Sequence, residues 1–159
     1  MRRRHTIRLL VNDSPGVLQR VAGLLSRRGF NIDSITVGGS EQEGISRMVV
    51  ILNGESAELI QMCRQAAKLI DVIEVVHLNP DVVILRELLL VKLSAKPHQR
   101  QEILGMVETF RCAVIDVAME SVIIQIVGDE GKNNALLRLL EPYGIIEITR
   151  TGETAMERD

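Results

Sequence analysis

Aromatic side chains are almost missing from this chain of 159 residues, which holds no Trp, one Tyr (Tyr143) and two Phe (Phe30 and Phe110). A sheet that stacks nucleobases needs several exposed rings, so an RNA-binding surface is nearly excluded. Excess charge is missing too: 19 basic residues stand against 21 acidic ones, a formal charge of −2. That balance offers no broad attraction to nucleic acid or anionic membrane. Cys63 and Cys112 are too few for a disulfide framework and read as free thiols in a reducing compartment, Cys63 on a helix core face. His5, His77 and His98 have no Cys, His or carboxylate at metal-ligand spacing, so no metal site is expected. After Arg2-Arg3-Arg4 the apolar run at 7–11 ends at Asn12-Asp13, too short for a signal-peptide core or a membrane span. The expectation is a cytoplasmic protein.

What the chain does have is 46% hydrophobic residues arranged in one pattern written twice. Residues 5–11 read as a strand, and Ser14 as N-cap with Pro15 at the first helical position predicts a helix start. Val17, Val21, Leu24 and Leu25 form one apolar stripe, and Gly29 supplies a C′ stop after Arg28. In F-N-I-D-S-I-T-V the apolar phase changes between Ile32 and Ile35, which predicts a bulge or two-sided burial. Residues 45–53 make the hairpin partner. A helix over 56–69 is expected to bury Leu59, Cys63, Ala66, Ala67 and Ile70, and a strand at 72–78 closes a β-α-β-β-α-β unit.

The order then begins again: a strand from Glu87 to Ala95, a helix over 97–110 with Ile103, Val107 and Phe110 inward, a hairpin around Glu120-Ser121, a helix over 133–141 and a last strand at 145–150. The fold class is α+β, two ferredoxin-like units in tandem over 1–79 and 80–159, joined near Asn79-Pro80. Helices on one face leave the other sheet face short of cover, and Val49 and Ile51 are expected to pack there against another chain, most simply in a two-fold dimer. Met48, Met62, Met106 and Met119 read as core or interface filler, Arg27, Arg28 and Arg47 as solvated or interchain charges, and G-D-E-G-K at 128–132 as a hairpin-to-helix turn rather than a phosphate loop.

The repeat acts as a control on its own turns. Asn12 and Gly16 in the first strand-to-helix turn are replaced by Ser94 and His98 in the second. Free N–H groups near Gly16 and Val17 carry the helix's partial positive charge, and a small anion can approach there. Asn12 and Asn31 offer amide donors and acceptors suited to an α-carboxylate and an α-ammonium, with Leu18, Ile32 and Ile35 as an apolar pocket. No catalytic nucleophile is identifiable.

The run N-x-x-P-G-V-L-x-R-V-A-G-L-x-S-R-R-G-F-N-I-D-S-I-T-V-G, with S-R-M at 46–48, resembles the small regulatory subunit of acetolactate synthase (acetohydroxyacid synthase). R-E-L-L-L-V-K-L at 86–93, T-F-R at 109–111, I-D-V at 115–117 and E-I-T-R-T-G at 147–152 extend the resemblance to nearly the full length; Cys112 and the ending A-M-E-R-D depart from it. The resemblance implies an N-terminal ACT domain that dimerises and binds an amino-acid effector. It further implies a non-catalytic chain without a cofactor of its own, which activates a separate catalytic subunit carrying thiamine diphosphate, Mg and FAD. That subunit would become sensitive to a branched-chain amino acid, most often valine. The effector is implied to lie between two chains, against Asn12, Gly16, Val17 and Leu18 of one and Asn31 and Ile32 of the other. By elimination, the second unit is the expected contact for the catalytic subunit. A free-standing ACT sensor for another enzyme and a small acylphosphatase-like enzyme, using Asn12 or Asn31 with Arg20, are the alternatives.

Overall fold

The computed structural model describes residues 3–159; Met1 and Arg2, the start of the basic run, lie outside the described residues. The chain divides into two compact units, one running to Ile84 and rejoined by Glu153–Asp159, the other Leu85–Gly152. The tail beyond Gly152, read from the sequence as the end of the second unit, thus groups with the first. It contains a short strand, β9 (Thr154–Glu157), which pairs with the strand that begins at Val83 and which the sequence pattern does not announce. Its anchors are polar: Glu153 pairs with Arg4, Glu157 accepts the Asn79 N–H at 3.1 Å, and the Arg158 N–H donates to the Val82 carbonyl at 2.8 Å.

The first unit runs β1 (Arg3–Asn12), α1 (Val17–Arg27), β2 (Asn31–Gly39), β3 (Ile45–Gly54), α2 (Ser56–Ala66) and β4 (Val72–His77). Its antiparallel sheet has the order β2-β3-β1-β4, so the first and third strands are central. Alternation puts Ile7, Leu9 and Val11 of β1 on one face with Met48, Val50 and Leu52 of β3, where they meet Val17, Val21, Leu24 and Leu25 of α1. The stripe read from the sequence is the buried face of α1. Its end is a Schellman closure: Phe30 N–H donates to the Leu25 carbonyl at 3.3 Å, and Gly29 N–H to that of Ser26 at 3.1 Å, with Gly29 at φ 74°. The phase change in β2 is a bulge, since the register with β3 slips between Ile32 and Ser34.

Two expectations fail here. The second helix stops at Ala66, and beyond it Ala67 is exposed and Ile70 is 90% exposed; Leu59, Met62 and Ala66 are the buried stripe. A turn, residues 67–71, replaces the last helical turn because it must deliver Asp71 back to the end of β1, where its carbonyl receives the Asn12 N–H at 2.8 Å. Val49 and Ile51, expected to face another chain, are 2% and 0% exposed. They therefore offer no open apolar surface for a partner.

The second unit repeats the plan with β5 (Val83–Ser94), α3 (Arg100–Thr109), β6 (Ala113–Val117), β7 (Ser121–Gly128), α4 (Glu130–Leu140) and β8 (Ile145–Arg150), in the order β6-β7-β5-β8. Leu89, Val91 and Leu93 of β5 meet Ile103 and Val107 of α3 and Leu136 and Leu140 of α4, with Phe110 packed at the edge. Asp129 caps α4, its carboxylate accepting the Lys132 N–H at 2.8 Å, so G-D-E-G-K is a capped hairpin-to-helix turn. Two polar side chains, Glu87 and Asn133, are buried in this unit and bond to each other. The Glu87 carboxylate accepts from Arg150 Nε at 3.1 Å, from Arg150 Nη2, and from Asn133 Nδ2 at 3.1 Å.

The two histidines of the first unit, His5 on β1 and His77 on β4, also meet. His5 Nε2 lies 3.1 Å from the Gly54 carbonyl, which can only accept, so that nitrogen carries the proton. His5 Nδ1 then accepts from His77 Nε2 at 3.2 Å. Burial, and secondarily the nearby His5, push the His77 pKa below its ordinary value. The unfolded chain consequently binds a proton that the folded chain refuses, so stability is full above about pH 6.5 and falls as pH drops below it. Urea midpoints followed from pH 8 to pH 5 should show that fall, and His77→Gln should flatten it.

Tyr143, the one tyrosine, packs against the second core, and its fluorescence follows that unit. Arg150→Ala strips the buried Glu87 of its cation. Because Arg150 is itself partly exposed, the cost should fall at roughly 2–3 kcal/mol, below the full penalty for an orphaned buried charge. A lower urea midpoint in the Tyr143 signal checks it.

Candidate functional site

The end of β1 and the start of α1 are joined by a turn whose geometry differs from the sequence expectation. Ser14 is not the N-cap and Pro15 is not the first helical residue. Instead, residues 14–17 form a type II turn: Pro15 sits at the second position, Gly16 at the third with φ 82° and ψ −1°, and the Val17 N–H reaches the Ser14 carbonyl at 3.4 Å. Gly16 is the residue preceding the helix, and no side chain caps it. The first intrahelical bond is Arg20 N–H to the Gly16 carbonyl, 3.0 Å. Among the described residues nothing accepts from the N–H groups of Gly16, Leu18 or Gln19, so the helix start is open. Of the N–H groups expected to be free beneath a Ser14 cap, that of Gly16 has no acceptor among the described residues, whereas that of Val17 is taken by the Ser14 carbonyl.

Three side chains frame this opening. Asn12 is exposed and its amide has no partner among the described residues, since only its backbone is bonded, to Asp71 and Ser14. Arg20 folds back over Gly16, where Nη1 would lie 3.1 Å from an added Cβ, and pairs with the Asp71 carboxylate. Asp71 was not singled out by sequence reasoning. It sits 59 residues beyond Asn12, and only the β1–β4 pairing brings it there; no local spacing signals it. Val17 is buried and its N–H is taken by the Ser14 carbonyl, whereas Leu18 is 47% exposed beside the opening.

Asn31 and Ile32 lie elsewhere. Asn12 faces Ile45 across β1–β3, while Asn31 faces Asn53 across β2–β3. The eight residue steps from Ile45 to Asn53 correspond to about 27 Å along the sheet. No single amino acid spans that distance, so Asn12 and Asn31 of one chain do not converge on one ligand. Asn31 is exposed at the start of β2, an edge strand with an unpaired side, and Ile32 and Ile35 are partly buried against the core. Of the two acylphosphatase-like pairings, the one of Asn31 with Arg20 is opposed by the same separation, since the Arg20 guanidinium lies over Gly16 and on Asp71 at the Asn12 end; the one of Asn12 with Arg20 is not.

Other features singled out by sequence have structural partners. Arg47 holds Glu41 through two bonds of 2.9 and 3.0 Å, and that hydrogen bonding lowers the Glu41 pKa to about 2. Burial pushes both thiols upward, Cys63 and Cys112 alike. Met48 and Met62 are core, Met106 packs at the second core, but Met119 is 89% exposed on a hairpin and is not core. Among the described residues no three His, Cys, Asp or Glu side chains gather as a metal site, and no helix is long and apolar enough to cross a membrane.

Comparison with known proteins supplies what geometry alone does not. Residues 7–74 match the family model described as an AHAS small subunit-like ACT domain, and residues 86–159 match that of the small subunit of acetolactate synthase. The acetolactate synthase small subunit of Mycobacterium leprae is 46% identical over 154 residues, covering 97% of this chain and 91% of that one. A probable acetolactate synthase small subunit from Methanothermobacter thermautotrophicus is 48% identical over 155 residues, covering 97% and 92%. The crystal structure of the acetolactate synthase small subunit from Thermotoga maritima superposes with a TM-score of 0.92 at 42% identity, covering 99% of this chain and 98% of that one. With both halves matched in order and the open turn in the ACT half, this chain belongs to the acetolactate synthase small-subunit family.

Proposed function

We propose that this chain is the non-catalytic regulatory subunit of an acetolactate synthase. In this reading it activates a separate thiamine-diphosphate-dependent catalytic subunit, which also carries Mg and FAD, and makes it subject to feedback inhibition by a branched-chain amino acid, valine foremost. Membership of the small-subunit family supports the role. The observation that supports the effector site is the separation of its halves: an open α1 start with Asn12 at one end of the sheet, and Asn31 on an unpaired edge at the other.

A two-fold dimer joins such halves. If β2 pairs antiparallel with its copy about Ile35, Asn31 of the partner subunit comes opposite Gly39. Gly39 is level with Ser46, and Ser46 with Val11, one residue from Asn12. Each site would then take Asn12, Gly16, Val17 and Leu18 from one chain and Asn31 and Ile32 from the other. The α-carboxylate would sit on the open N–H groups and the α-ammonium on the amide oxygens. A regulatory affinity of about 10–100 μM requires only about −5.5 to −7 kcal/mol. Charge-assisted hydrogen bonds at roughly 1.5–3 kcal/mol each and one buried branched side chain at about 1.5–3 kcal/mol supply that after association costs.

Mixing the protein with an acetolactate synthase catalytic subunit should raise turnover, and valine should lower it again; absence of activation would remove the regulatory reading. Gly16→Asp places a carboxylate where the ligand's would lie, beside Arg20, at a left-handed φ that Asp tolerates for about 1–2 kcal/mol. It should abolish valine inhibition and spare activation. The two-chain geometry has its own check. Homodimers of Asn12→Ala and of Asn31→Ala should each lose valine binding, whereas a mixed dimer of the two should recover one full-affinity site out of two by calorimetry. Recovery of none would place the halves in a single chain.

A further inference from the structure

We propose that the second unit carries its own ligand site, for a short branched aliphatic carboxylate that lacks an ammonium group, held by Arg100 at the mouth of a cavity between α3 and β6. The cavity has a volume of about 130 Å³ and lies under Ile103 and Leu104 of α3, Val114 and Val117 of β6, and Val122 at the start of β7. A cavity of about 150 Å³ is known to hold benzene, so this one takes on the order of five heavy atoms. It is not the first unit's half-site again, although it occupies the corresponding end of its sheet. The turn before α3 has no left-handed residue; Gln99, at φ −99°, precedes the helix.

The chemistry at the mouth is set by Arg100, the first residue of α3. Its Nε donates to the Ala95 carbonyl at 3.3 Å, and Nη2 donates to the carbonyls of Ala118 and, at 2.6 Å, Met119. These bonds lock the guanidinium in place and leave Nη1, with two donors, without an acceptor among the described residues. A fixed pair of N–H donors beside an apolar hollow is complementary to a carboxylate on a branched hydrocarbon. The position at the start of α3 adds the favourable end of the helix dipole.

The same surroundings reject an amino acid. No Asp, Glu, Asn or Gln side chain lines the cavity, and the nearby carbonyls are already occupied by Arg100. An ammonium placed there would be desolvated without a partner, which is costly. Exposed Leu104 and Val117 at the rim let the ligand enter and cover its branch once seated.

The test uses the full-length protein with labelled Ile, Leu and Val methyl groups, titrated with 3-methylbutanoate, its neutral amide, and valine. Saturable shifts are expected at Ile103, Leu104, Val114, Val117 and Val122 with the acid, at least tenfold weaker binding of the amide, and no response of these methyls to valine. Arg100→Gln should weaken the acid at least tenfold. Leu104→Trp, at an exposed position that tolerates a larger side chain, should block it while the Tyr143 signal still reports a folded unit. The proposal is overturned by equal affinity for acid and amide, by Leu104→Trp binding as well as the native chain, or by shifts confined to Val17 and Leu18. Because Gly16→Asp leaves this cavity untouched, its loss of valine response should coexist with unchanged 3-methylbutanoate binding.

Discussion

The pairing of β3 with both its neighbours is the constraint on which the first unit depends. Ten consecutive residues of β1 run against β3 from Arg3↔Gly54 to Asn12↔Ile45, and β2 lies along its other edge. Because side chains alternate, this register decides at once which residues make the core and which end of the sheet each turn occupies. Ile7, Leu9 and Val11 go under the helices with Met48, Val50 and Leu52. Asn12 goes to one end and Asn31 to the other. A slip of one residue would turn the core side chains outward, so the apolar pattern that stabilises the sheet also holds the two asparagines apart.

Within that frame the turn after β1 determines what the open end can bind. A Ser or Asp N-cap would satisfy the first helical N–H groups from within. Here the chain enters α1 through Pro15 and a left-handed Gly16, and no side chain turns back to cap it. Pro15 fixes the φ of the second turn position, and Gly16 takes a backbone conformation that costs other residues about 1–2 kcal/mol. The result is a rigid approach to an unsatisfied helix start. The Arg20–Asp71 pair beside it is tied to the same place by the Asn12–Asp71 backbone bond.

Much of this is readable from sequence where the signal is local and periodic. The stripe Val17, Val21, Leu24 and Leu25, the Gly29 stop and the phase change that becomes the β2 bulge depend only on neighbours within a turn or two. The Ser14-Pro15-Gly16 stretch is local as well, yet it carries two signatures, a helix cap and a type II turn. Gly16 in the third position decides for the turn. Ile70 continues an apolar spacing past the true helix end, because the need to return Asp71 to β1 outweighs one more helical turn. The pairing of Asp71 with Arg20 and the return of β9 are long-range, and no spacing encodes them. The candidate site residues Asn12, Gly16 and Asn31 could be named from sequence, while the separation of Asn12 and Asn31 within one chain required the register.

The two units show how one topology can present different chemistry at the same position. In the first, a glycine turn leaves backbone N–H groups free, and side-chain amides supply both donors and acceptors. In the second, Arg100 spends three donors on the carbonyls of Ala95, Ala118 and Met119 and presents the rest. Backbone donors with amides suit a zwitterion, whereas a lone guanidinium over an apolar hollow suits a monoanion. For a ligand to regulate, it must bind one arrangement of the protein more tightly than another, since equal affinity shifts no equilibrium. A site completed across two chains meets that requirement directly: the ligand's affinity exists only in the dimer geometry that brings the far ends of two sheets together. Under the proposed reading, valine acts as a bridge between subunits, and the free-energy difference it can impose on their arrangement is bounded by the contacts it makes with the second chain.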